Sequence, residues 1–198
     1  MEKTRIISIS FLILSLLLAI FLGRSIYTSI DNADRIQRME KAVIDKLIMI
    51  REAQIGYQAV NGQYTSDWGK LKNFVDSGEF YLTSRIETIH QLSYGADSVV
   101  VEIDTLGTVA VRDSLFSPAK YPKFDIATFS YVPGYEDQKV EFEMWADKIE
   151  KSNVKVDVVE VWNPRPIDPK RKEDNEARTK KPLRFGSRTS ITTAGNWE

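Results

Sequence analysis

An uncharged apolar run from Ile6 to Leu22 passes, without a proline or a turn cluster, into an amphipathic helical pattern that continues to about Val60. Such a start constrains the chain to one long helix with two different environments along its length. The polar interruptions of the run are the small serines Ser8, Ser10 and Ser15, whose hydroxyls can bond to carbonyls of their own helix. Roughly 17 apolar residues can span a bilayer when interfacial residues flank them. Lys3, Arg5, Gly23 and Tyr27 supply those flanks. The basic pair ahead of the run places residues 1–5 in the cytoplasm, 6–23 across the membrane and the remainder outside it. The competing reading is a cleaved secretory signal, with small residues at Gly23 and Ser25. Signal cores are usually about 7 to 15 residues long, and here the helical pattern begins directly beyond the candidate cut. An uncleaved signal anchor accounts for both observations.

In the stalk helix, residues 24–60, Ile36, Met39, Val43, Leu47, Ile50, Ala53, Tyr57 and Val60 recur at spacings of three and four, which draws one apolar stripe. A second set, Ile44, Ile48, Ile55 and Ala59, widens the apolar surface in the later half. The earlier half carries Asp31, Asn32, Asp34, Arg35, Gln37 and Arg38 around a thin apolar line, the pattern of a wet segment or a helix partner. Packing against the chain's own domain is expected above Leu47. Below it the stripe needs a neighbour or the membrane surface, so Ile36, Met39, Val43, Leu47 and Ile50 are the candidate partner-binding residues.

Asn61 and Gly62 stop the helix, and Thr65-Ser66-Asp67 caps a short second helix carrying Trp68, Leu71, Phe74 and Val75. Beyond it, β-branched or aromatic runs at 99–103, 109–111, 127–132, 140–145 and 154–162 are separated by turn residues. Val140, Phe142 and Met144 alternate with Glu141 and Glu143, and Val154, Val156 and Val158 alternate with Lys155 and Asp157. This predicts an antiparallel meander covered on one face, a sheet domain over 61–163. Residues 164–182, with Pro164, Pro166, Pro169 and a dense charge run, read as a basic linker or long loop. Phe185, Ile191 and Trp197 restore apolar character in 183–198, which is expected to dock back on the sheet. The fold class is α+β, a long helix packed on an antiparallel sheet.

The chain has no cysteine, which excludes disulfides, thiolate metal sites and cysteine nucleophiles. Lys and Arg total 27 against 28 Asp and Glu, so the whole chain gives no reason to expect nucleic acid as a partner. His90 is the only histidine. It lies in the alternating segment 86–92 and reads as a surface residue, since a metal site usually wants several such ligands. Asp97, Glu102, Asp104 and Asp113 sit near strand ends but write no calcium loop, and Glu141 with Glu143 read as the solvent side of a strand. Gly134 and Gly186 are isolated, so no phosphate loop is present. The expectation is a protein without catalytic residues, metal or cofactor.

The segment Arg51-Glu52-Ala53-Gln54-Ile55-Gly56-Tyr57-Gln58-Ala59-Val60-Asn61-Gly62-Gln63-Tyr64-Thr65, followed by Trp68, Leu71 and Phe74, resembles the helix end of type IV pilins and of the pseudopilins of type II secretion. In that family a tyrosine precedes a glycine turn and a short leucine-bearing helix. The resemblance covers about the first 80 residues. The processing glycine ahead of the apolar run and the acidic residue early in the mature helix are both missing here. The resemblance therefore implies an unprocessed, non-catalytic subunit of a secretion or pilus-like machine in a bacterial inner membrane, with protein subunits and possible further copies of itself as partners. The closing Gly195-Asn196-Trp197-Glu198 is similar to the end of a set of single-span envelope proteins, which implies no activity. A membrane-anchored periplasmic module for a glycan, lipid or passenger protein, held by the sheet and the basic segment, is the alternative. A periplasmic hydrolase built on His90 is the third.

Overall fold

The structure, a computed structural model, describes the backbone of residues 2–91 and 97–198 and the side chains of residues 11–89 and 99–198. The side chains of Lys3, Arg5, Ser8, Ser10, His90 and Asp97 lie outside the described residues. The fold is α+β. Helix α1, Glu2–Asn61, is unbroken, as a sequence without proline allows. Ser15 Oγ donates to the Leu12 carbonyl at 2.9 Å, so this polar group within the apolar run is satisfied by its own helix. The helix ends where Gly62 takes φ +71° and its amide donates to the Gln58 carbonyl. That left-handed turn is one glycine adopts without strain.

Helix α2, Trp68–Ser77, begins on Asp67, whose Oδ1 accepts from the amides of Gly69 and Lys70. Leu71, Phe74 and Val75 turn inward onto α1. Strands β1, Glu79–Gln91, and β2, Asp97–Ala110, pair antiparallel in a sheet of their own. A one-turn helix α3, Val111–Leu115, follows directly. Strands β3, Glu143–Lys151, β4, Val154–Trp162, and β5, Arg184–Gly186, make a second antiparallel sheet in that order. Ser152 and Asn153, both at positive φ, form the two-residue turn between β3 and β4.

The expected single meander is thus two sheets, and one of its segments is not a strand. Val109 and Ala110 end β2 and Val111 opens α3, while 127–132 is a set of turns with one bridge from Tyr131 to Glu141. Turn chemistry decides the second case: Asp125 Oδ1 accepts from the Ala127 amide, and Pro133 and Gly134 close the next turn. Alternation holds at Phe142 between exposed Glu141 and Glu143. It fails along β4, where Val154 is exposed and Val158, Val159, Glu160 and Val161 are all buried.

One core joins these parts. It runs from Val43, Leu47, Ile50 and Ala53 of α1 through α2 to Phe116, Phe129, Phe142 and Phe185. Phe116 stacks on Phe124 at 4.4 Å and meets Phe129 edge-on at 5.7 Å. Gln54 is a fully buried polar residue of α1, and it is satisfied: its Nε2 donates to the Thr65 carbonyl at 2.7 Å and its Oε1 accepts from the Thr65 amide at 3.2 Å. This pair fixes the connection between α1 and α2.

The C-terminal segment docks on the sheet. Asn196 Nδ2 donates to the carbonyls of Pro182 and Arg178, and its Oδ1 accepts from the Arg184 amide. Arg51 of α1 reaches the Thr193 carbonyl at 3.3 Å and Glu198 Oε1 at 2.7 Å. Gly186 takes φ +80°, and any Cβ there would run into the Val159 carbonyl oxygen, so β5 can approach β4 only with glycine at this position.

Candidate interaction surfaces

The α1 stripe divides differently from the sequence expectation. Val43, Leu47 and Ile50 are fully buried in the chain's own core, so no partner reaches them in the folded protein. Ile36 and Met39 are half-buried, with the Met39 methyl against Gly134. The domain descends farther along α1 than the polar flanks suggested, and a distant segment meets the helix there at Glu40. Arg171 forms a bidentate ion pair with Glu40 and donates from Nη1 to the carbonyls of Thr179 and Lys181. Both partners are less than a fifth exposed, which makes this contact part of the fold rather than a surface ion pair. The widening set also splits: Ile44 and Ile48 are half-buried, whereas Ile55 and Ala59 are exposed.

Below Arg35 the helix stands free of the domain, with Ile26, Tyr27 and Ile30 exposed on it. At about 100° per residue, Ile26 and Ile30 lie roughly a third of a turn from the Val43, Leu47 and Ile50 stripe. The domain therefore does not shield them. From Phe11 to Arg35 every side chain is exposed, and α1 near its start is long and apolar enough to cross a membrane.

Residues 164–182 form a loop held together by its own hydrogen bonds. Asn175 Nδ2 donates to the carbonyls of Lys170, Lys172 and Lys180, and Arg171 is committed to Glu40. Lys170, Lys172 and Lys180 remain at the surface around a depression of about 580 Å³.

A larger cleft of about 630 Å³ lies where β3 and β4 meet the C-terminal segment. Arg188 stands 4.8 Å from the Trp162 ring and 5.6 Å from that of Trp145. Its Nε donates to Glu160 Oε2 at 2.8 Å, while Arg184 takes Glu160 Oε1 at 3.4 Å and also pairs with Glu173. Both oxygens of this buried carboxylate are occupied by guanidiniums, which suits a structural knot and leaves no free base. Trp162 is thereby a packing platform for Arg188, and Trp197 is half-buried against the core.

A third groove, about 380 Å³, has an apolar floor of Met49, Tyr121, Pro122 and Phe124 and a rim of Lys46, Lys120 and Lys123. Burial pushes the Lys46 ammonium below its usual pKa, with Glu136 and Asp125 opposing that shift. Lys120 is moved the other way by its hydrogen bonds to Glu52, at 2.9 Å to each carboxylate oxygen.

Glu141 accepts from Ser130 Oγ and faces Lys72 at 3.7 Å, and Glu143 is exposed nearby. Glu102 and Asp104 lie on β2 and Asp113 on α3. Among the described residues no three histidine, aspartate or glutamate side chains converge as metal ligands. A second exposed apolar feature, after the start of α1, is the β1–β2 hairpin, which the alternation at 86–92 and the strand run at 99–103 marked without indicating that it stands as a sheet of its own. No protein-family model, curated protein or solved structure matches this chain.

Proposed function

We propose that this chain is a non-catalytic, single-pass membrane subunit of pilin-like architecture that serves in a secretion or pilus-like assembly of a bacterial envelope. Its N-terminus would lie in the cytoplasm and its α+β domain in the periplasm. One observation carries the reading: a single unbroken helix supplies both the long apolar segment and the buried core of the domain. An anchor that is also a core element cannot swivel independently of the domain. It fixes the domain's height and orientation, which a simple tether would not require. Between Leu22 and Val43 the helix rises roughly 30 Å, and much of that span is uncovered by the domain. Ile26 and Ile30, with the half-buried Ile36 above them, are the apolar positions a neighbouring helix can use there.

The test is the double variant Ile30→Asp with Ile36→Asp, purified with its native membrane neighbours and analysed by mass spectrometry. Partner subunits are expected to be lost while the melting temperature of the domain stays within about 2–4 °C of the parent, since neither side chain belongs to the buried core. An unchanged set of co-purifying proteins would sink the assembly role of this stretch, and loss of the fold would show that it is structural.

A further inference from the structure

The β1–β2 hairpin leaves the domain at a well-packed root. Phe80 meets Phe74 edge-on at 5.9 Å, and the Val111 amide donates to the Gly78 carbonyl at 2.9 Å. Beyond that root no described residue covers it: from Tyr81 to Ile89 and from Val99 to Thr108 no side chain is buried. Register is continuous from Glu79 paired with Ala110 to Gln91 paired with Asp97, apart from one bulge between Leu82 and Thr83. A two-stranded ribbon of this kind is marginal in water and becomes stable when a face or an edge is covered. The sequence also gives it an apolar load that a solvent-facing arm does not need, with Ile103 67% and Ile89 65% exposed.

Pairing register separates the two faces. On one, Tyr81, Ile89, Val99, Val101 and Ile103 surround Arg85 and Glu87, which form an ion pair at 2.7 Å. Between Tyr81 and Ile89 this face is mainly apolar and its described side chains carry one charge of each sign, centred on Arg85 and Glu87; the register also puts Asp97 on it beyond Val99 and Glu79 at the root. The other holds Ile86 and Val100 among Ser84, Thr88, Glu102 and Asp104, with two acids and no base among its described side chains. Two copies meeting through that second face would bring four carboxylates together. Meeting through the first face, they would find their own complement.

We propose that the Arg85–Glu87 face of the hairpin docks against the same face of a second copy of this chain. A two-fold axis close to the ion pair sets each Arg85 against Glu87 of the other copy and encloses the charges in a ring of isoleucine and valine. The footprint, two strands about 10 Å wide over nine residues or roughly 30 Å, comes to roughly 300 Å² per copy. That lies well below the ~800 Å² per partner of a standard interface, so the contact is weak and is best read by covalent trapping. It is independent of the membrane reading and of the α1 contacts.

Because the chain has no cysteine, one introduced thiol is the only one present. Val101→Cys and Val100→Cys place it on neighbouring residues of opposite faces, 42% and 51% exposed in the parent. The full-length protein, in membranes and again after purification in detergent, is treated with a short bis-maleimide. Val101→Cys is expected to give at least about five-fold more covalent dimer than Val100→Cys. Adding Arg85→Glu should remove that excess, and adding Glu87→Arg to it should restore the dimer by rebuilding a self-complementary pair. Equal trapping at the two positions, or purified protein that gives no dimer, overturns the proposal. Unchanged trapping in the Arg85→Glu background, or no rescue by the double swap, overturns the charge pairing on which it rests.

Discussion

Leu47→Asp is expected to abolish folding of the domain, with loss of its cooperative melting transition and rapid proteolysis up to the C-terminus. Leu47 is fully buried at the meeting of α1 with the rest of the core. Truncating such a leucine to alanine costs about 2–5 kcal/mol. A carboxylate at that place adds the desolvation of a charge with no basic partner, several kcal/mol more. The sum reaches the whole margin of about 5–15 kcal/mol by which domains of this kind are stable. Ile30→Asp alters an exposed position of the same helix and is expected to move stability by no more than about 0.5 kcal/mol. Circular dichroism melting of the two variants side by side checks this. If Leu47→Asp melted like the parent, the assignment of α1 to the core would be wrong.

The second large effect concerns the other end of α1. Leu14→Arg combined with Leu17→Arg is expected to prevent stable residence in the membrane. Both leucines are exposed in the middle of the apolar run, and each arginine there costs about 2.5–3.5 kcal/mol on insertion scales. Together they amount to roughly 5–7 kcal/mol, enough to reverse the partition of a segment of this length. Alkaline extraction of membranes followed by immunoblotting reads the outcome: the parent stays in the pellet and the double variant does not. A parent protein released by alkali, or a variant retained equally well, contradicts the account.

Helix α1 was legible because its signals are local. Apolar run, periodic stripe and Gly62 all act within a few residues of where they are read. The same holds for α2 with its Asp67 cap and for the docking of 183–198, where Phe185 and Trp197 announce burial. What periodicity does not encode is who fills the other side of a stripe. Val43 is buried by its own chain, and Arg171, 131 residues away in sequence, reaches Glu40 beside it. No local feature of the basic segment says that its central arginine is spent internally. The isolation of the β1–β2 ribbon escaped for a related reason, although its runs at 86–92 and 99–103 were visible. Alternation normally signals one covered face, and here no described residue covers either face. At 127–132 the apolar composition suggested a strand, and the turn-forming Asp125, Pro133 and Gly134 prevailed over it.

The central claim is that one helix is exposed to three environments in succession: apolar at its start, aqueous in its middle and protein core near its end. Single cysteines at Leu14, Asp31 and Leu47, each in the otherwise cysteine-free chain, can be tested with a membrane-impermeant maleimide on native membranes; Asp31 is exposed and lies off the Ile26 and Ile30 face proposed for a partner. The account predicts fast labelling at Asp31→Cys only, with Leu14→Cys released by detergent alone and Leu47→Cys released by denaturant rather than by mild detergent. Labelling of Leu14→Cys without detergent, or of Leu47→Cys without denaturant, would contradict it.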